Sequence, residues 1–85
     1  MKYTISRYPN ENTITLQSIG HVIGEPAKNI RVNDFLMWNF GSKSQVIAIV
    51  KETKNFIEIT EKSESGYIGN RKIKKERIIC ILKNQ

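Results

Sequence analysis

The densest chemistry-bearing stretch is Arg71-Lys72-Ile73-Lys74-Lys75-Glu76-Arg77, with five positive charges and one negative in seven residues. Gathered on one surface, these cations would neutralise several phosphates. In a strand, however, Arg71 points opposite to Lys72 and Lys74, which splits the run between two faces. Lysines also guard exposed sheet edges against unwanted pairing, so a solvated edge and turn accounts for the same residues without a ligand. The candidate phosphate contacts are therefore Arg71, Lys72, Lys74, Lys75 and Arg77. Phe35, Trp38, Phe40, Phe56 and Tyr67 lie on or beside the same predicted strands, and exposed aromatics next to lysines can stack unpaired bases. Trp38 and Phe40 share the alternation of Leu36, which assigns them to the core. Phe56 falls opposite Ile57 and Ile59 and is the expected aromatic contact.

Other candidate chemistry is thin. His21 is the only histidine and has no second ligand at metal spacing. Ser18 or Ser42 can be drawn into a triad with His21 and Asp34, but neither spacing nor turn chemistry supports it. Gly66-Tyr67-Ile68-Gly69 matches the backbone-clamping GXXG loop in letters only, because that loop joins two helices and the flanks here have strand patterning. Cys80, the only cysteine, lies inside Ile78-Ile79-Cys80-Ile81-Leu82, which is the setting of a buried small hydrophobe. No catalytic site, metal, cofactor or small-molecule substrate is expected.

With 85 residues, the chain has room for one thin core, so a single domain over residues 1–85 is predicted. Fourteen Lys and Arg against eight Asp and Glu give a net charge of +6, which favours encounters with nucleic acid, anionic surfaces or acidic proteins. The first residues lack the apolar stretch of a secretory signal, and the runs Val46 to Val50 and Ile78 to Leu82 are too short to span a bilayer. A cytoplasmic protein with no membrane partner is expected. Frequent Ile, Lys and Asn match AT-rich codon usage and point to a low-GC bacterium or its phage.

The elements that must position these residues are short strands. Lys2 to Tyr8 and Asn12 to Ile19 alternate polar with apolar around Pro9-Asn10-Glu11, which predicts an N-terminal β-hairpin. Beyond Pro26, Ala27 to Arg31 suits one helical turn. Phe35 to Phe40, Gln45 to Glu52, Asn55 to Lys62, Tyr67 to Ile73 and Ile78 to Leu82 each suit a strand, and their connectors hold turn-forming residues. Val46 to Val50 and Ile78 to Leu82 are apolar on both faces, as strands covered on two sides would be. No segment keeps a helical period for three turns.

Ala27-Lys28-Asn29-Ile30-Arg31-Val32-Asn33-Asp34, followed by Phe35-Leu36-Met37-Trp38-Asn39-Phe40-Gly41 and the strand at Val46, resembles a group of small phage-type SH3-like β-barrel proteins. Their pattern is A-x-x-L-x-V-G-D, then a strand ending W-N-[FY]-G. Asn33 stands where Gly is usual, and Asn tolerates the left-handed conformation such a turn needs. The resemblance covers residues 27–82 and implies a small antiparallel SH3-like barrel, which the order and spacing of the five strands also match. The expected fold is all-β, a barrel closed on itself, with residues 1–24, outside the resemblance, as a hairpin extension. The resemblance transfers no functional residues. The expected partner is nucleic acid, contacted through the basic run and Phe56. A host protein is the alternative, and the oligomeric state is left open.

Overall fold

Alternating apolar and polar residues, punctuated by short turns, dictate strands, and strands are what form. The structure is a computed structural model that describes residues 2–82. Its strands are β1 (Ile5–Ser6), β2 (Thr13–Leu16), β3 (Gly20–Ile23), β4 (Glu25–Pro26), β5 (Phe35–Met37), β6 (Lys43–Glu52), β7 (Phe56–Ser63), β8 (Ile68–Lys74) and β9 (Ile78–Leu82). Single 3-10 turns occupy Ala27–Asn29 and Asn39–Gly41. The described residues hold no helix long and apolar enough to cross a membrane.

Two antiparallel sheets result. The small one has the order β1-β3-β2, and the large one β4-β9-β5-β6-β7-β8. The expected N-terminal hairpin is corrected here. Segments β1 and β2 do not pair with each other; both pair with β3, with Ile5 and Ile14 on either side of Val22. Val22-Ile23, too short to stand out in the sequence, becomes the central strand because Val22 is fully buried and anchors the layer. The hairpin is β2-β3, turned at Ser18, whose φ of 66° lies in the left-handed region.

The expected closed cylinder is not formed either, since the large sheet stays open with β4 and β8 as its ends. Where a closing ladder would run, the first 3-10 turn meets the β8–β9 connector through Ala27 N–H to Arg77 O (2.9 Å) and Lys28 N–H to Lys75 O (3.1 Å). Two hydrogen bonds from a turn replace the last strand pairing.

The core has two compartments that share β5 and β9. Leu36, Val46, Ile57, Ile59, Ile73, Ile79 and Ile81 fill the interior of the large sheet with Ala27 and Ile30. Met37, Cys80 and Leu82, on the other face of β5 and β9, pack against Leu16 and Val22 of the small sheet. Thus β9 is apolar on both faces because both are covered, as its sequence implied. Strand β6 departs from that expectation. Its pairing with β7 shifts register between Val46 and Ala48 and between Ile49 and Lys51, and the extra residues Ile47 and Val50 are exposed. Bulges of this kind bend and twist a strand, which rolls β6 around the interior.

Candidate nucleic-acid interface

Strands β7 and β8 pair without interruption, with Phe56 opposite Lys74, Glu58 opposite Lys72 and Ile59 opposite Arg71. Because Ile57, Ile59 and Ile73 are buried, strict alternation puts Phe56, Glu58, Thr60 and Lys62 of β7 on the outer face with Lys72 and Lys74 of β8. Lys51 of β6, opposite Glu58, joins them. This face therefore carries Lys51, Lys62, Lys72 and Lys74 against the single acid Glu58. Phe56 lies among them, half-buried, with the Lys72 Nζ 4.6 Å from the centre of its ring. A shallow depression of about 390 Å³ at Phe56 is lined by Lys54, Asn55, Lys74, Lys75 and Glu76. A smaller one, also at Phe56, is lined by Lys51, Thr53, Glu58 and Lys72. Five lysines and two glutamates thus line the depressions at the aromatic side chain, and the ammonium of Lys72 covers part of its surface.

The basic run is divided as its alternation required. Arg71 is on the inner face, where its guanidinium stacks 4.2 Å from the centre of the Trp38 ring and its Nε–H donates to Glu61 Oε2. Arg77 approaches the same indole at 6.0 Å. Lys75 pairs with Glu52 at 3.4 Å and keeps only 22% of its side chain exposed. Of the six sequence candidates, Lys72, Lys74 and Phe56 come together on one face, Lys75 borders it, and Arg71 and Arg77 gather at Trp38. Lys51 and Lys62 complete the face but are isolated in sequence. Lys62 shares the face through the alternation of β7, four residues along from Glu58, whereas Lys51 reaches it only through the pairing register of β6, which the bulges reset and which sets it across Glu58 from Lys72.

A second constellation surrounds Trp38, half-buried where β5 ends. Its indole N–H donates to Ser44 Oγ (3.3 Å), Ser44 donates to Glu61 Oε1, and Arg71 binds the other Glu61 oxygen while lying on the indole. The four side chains form a closed circuit that satisfies Glu61, only 12% exposed. A charge this far from water requires such partners. A cleft of about 270 Å³ opens beside the circuit, and Lys43, Tyr67, Gly69 and Asn70 complete much of its wall.

Phe40 overturns the expected core assignment. Strand β5 stops at Met37, and Phe40 falls in the 3-10 turn at φ 64°, with 70% of its surface exposed. Its N–H donates to Gln17 O at 2.8 Å, while Asn39 Oδ1 accepts from Gln17 N–H at 2.9 Å. These bonds to the β2–β3 turn bend the backbone out of the strand path. His21, the lone histidine, shares a 2.8 Å hydrogen bond between Nδ1 and Thr15 Oγ1 across β2–β3. Asp34, buried, accepts from the Arg31 N–H at 2.8 Å. The described residues contain no group of three His, Cys, Asp or Glu able to hold a metal.

No family model, curated protein or solved structure matches the chain, so the functional reading rests on this geometry.

Proposed function

We propose that the protein is a small non-catalytic nucleic-acid-binding module that holds the phosphate backbone on the outer face of β6–β8. The observation that carries this reading is the set of four lysines, Lys51, Lys62, Lys72 and Lys74, on one face with one glutamate. Lys72 and Lys74 are two residues apart on one strand, roughly 6.6–6.8 Å, and Lys51 extends the patch across the sheet. Such a face attracts a polyanion along its length without reading its sequence. The rolled, bulged six-stranded sheet supports a small SH3-like barrel as the scaffold, with the two hydrogen bonds at Ala27 and Lys28 in place of full closure. A phage or mobile-element protein working in the cytoplasm fits the charge and codon-related composition.

The test is a binding titration against salt with a labelled oligonucleotide. Four phosphate contacts give a log–log slope of about −3 to −4 on duplex DNA, a loss of roughly a hundredfold between about 50 and 200 mM salt. Replacing Lys72 and Lys74 by Ala should make the slope shallower by about two. No binding at low salt, or binding indifferent to these lysines, rejects the reading.

A protein-interaction module is the second reading, and it too has a supporting observation. Strand β1 is a two-residue edge, and Tyr3, Ile5 and Tyr8 around it are exposed. An open edge with apolar neighbours can accept a strand from a partner. A partner recovered from host extract after nuclease treatment, and lost on Ile5→Lys, would favour this class.

A further inference from the structure

We propose that the cleft beside Trp38 seats one unpaired nucleotide of the strand held on the lysine face, which makes the protein selective for single strands. This inference rests on the reading of β6–β8 as a nucleic-acid interface. The cleft and that interface are the two sides of one edge strand. Along β8, Gly69 and Arg71 face inward and line the cleft, while Lys72 and Lys74 face outward. Asn70, between them, also lines the cleft and accepts a hydrogen bond from Thr60 Oγ1–H at 2.8 Å on the outer side. A polynucleotide leaving Lys72 has only the thickness of this edge to cross before it reaches the cleft.

The chemistry of the walls selects the occupant. Tyr67 is 77% exposed, yet its backbone is fixed on both sides: its N–H donates to Ser63 Oγ (3.1 Å) and its carbonyl accepts from Ser63 N–H (2.8 Å). A tethered, exposed aromatic ring is a platform on which a base can stack. In the same lining, the Arg71 guanidinium is held by Glu61 and Trp38, and its Nη groups make no hydrogen bond to the described residues. A fixed guanidinium with both Nη groups, four N–H donors, to spare matches a phosphate. Glu61 is engaged at both oxygens, so Lys43, Arg71 and Glu61 leave the lining at a net +1. A cationic ligand would have to displace Arg71 from the indole, which disfavours it. The volume of about 270 Å³ is below the roughly 300–1,000 Å³ of pockets that enclose drug-sized molecules; it suits a single ring system, and a duplex cannot enter.

Trp38 is the only tryptophan and lines the cleft, so its emission reports occupancy directly. The full chain should be titrated at low salt with an oligo-dT of about ten nucleotides, within the span of small single-strand binders, and with a duplex of equal length. The single strand should change Trp38 emission and the duplex should leave it unchanged. Tyr67→Ala should weaken single-strand binding by about ten- to a hundredfold without altering duplex affinity, whereas Tyr67→Phe should keep parental affinity for both. Saturable single-strand binding with no change in Trp38 emission, or with Tyr67→Ala at parental affinity, overturns the inference while leaving the lysine-face reading intact. Failure of both oligonucleotides to bind removes both.

Discussion

The guanidinium of Arg71 lies 4.2 Å from the centre of the Trp38 ring, and this contact ties the basic edge strand to the end of β5. Such a stack contributes about 0.5–2 kcal/mol depending on how far water is excluded. Here it also presents Arg71 to Glu61, so the loss of one member loosens all four. Glu61→Gln, which removes the charge while keeping the shape, should destabilise the protein by about 1–3 kcal/mol. A urea titration followed by Trp38 emission measures this; an unchanged midpoint would show that the circuit adds nothing to stability.

The two bulges of β6 turn Ile47 and Val50 outward, whereas the unbroken alternation of β7 keeps Ile59 inside. Ile59→Ala, at a fully buried position, should cost about 2–5 kcal/mol, a large share of the stability of so small a domain. Ile47→Ala and Val50→Ala, both exposed, should each fall within about 0.5 kcal/mol of the parent. Comparable losses at all three would mean that β6 is covered on its outer side.

Much of the large sheet was legible because alternation survives in β7, β8 and β9: Ile57 and Ile59 face inward as their spacing implied, and Arg71 parts from Lys72 and Lys74. The core role of Phe40 and the two-sided burial of β6 failed for a shared reason. Periodicity assumes that the strand continues, and both segments break it, β5 by turning at Asn39 and β6 by bulging at Ile47 and Val50. The central place of β3 was hidden because four residues carry too little pattern to outweigh the longer stretches beside them. Of the candidate site, Lys72 and Lys74 were visible in the basic run and Phe56 in the alternation of its own strand. Lys62 follows the alternation of Phe56, whereas Lys51 depends on cross-strand register and the Trp38 cleft on a contact between residues 33 positions apart in sequence, which no local pattern encodes.

Asn33 adopts a φ of 79°, the left-handed conformation expected of it at the turn before β5. Its N–H donates to Val46 O at 2.7 Å, so the turn is fastened to β6. Asn33→Gly should leave stability near the parental value, whereas Asn33→Ala should lower it by about 1 kcal/mol. Thermal unfolding of the pair separates conformational strain from side-chain effects, which would penalise both.

Gly24 joins the small sheet to β4 where no side chain fits. A Cβ there would lie within contact distance of the Ile79 carbonyl oxygen and 2.9 Å from Ile78 Cγ2. Gly24→Ala must therefore push the backbone off β9, costing about 1–3 kcal/mol or more. Hydrogen exchange should show protection lost first in β3 and β9; parental protection in both would contradict the packing.

Burial pushes the Cys80 thiol above its ordinary pKa, with Glu25 adding to the shift and Lys43 opposing it. The folded state therefore retains this proton at pH values where the unfolded chain releases it. Below the ordinary thiol pKa the shift does not affect folding, and above it stability should fall as the pH rises. Cys80→Ala should lower stability overall yet flatten that alkaline slope, and alkylation of the parent should proceed only at the rate of opening. Rapid labelling of the native protein would place Cys80 outside the core.

The most direct measurement compares two charge reversals on one duplex probe at low salt by fluorescence anisotropy. Lys72→Glu with Lys74→Glu alters the outer face of β8, while Arg77→Glu alters the cationic group near Trp38. Binding should be abolished by the first and stay within a few-fold of the parent in the second. Equal losses from both would show that the basic run acts as one undivided patch, and would contradict the face of β6–β8 as the phosphate-binding surface.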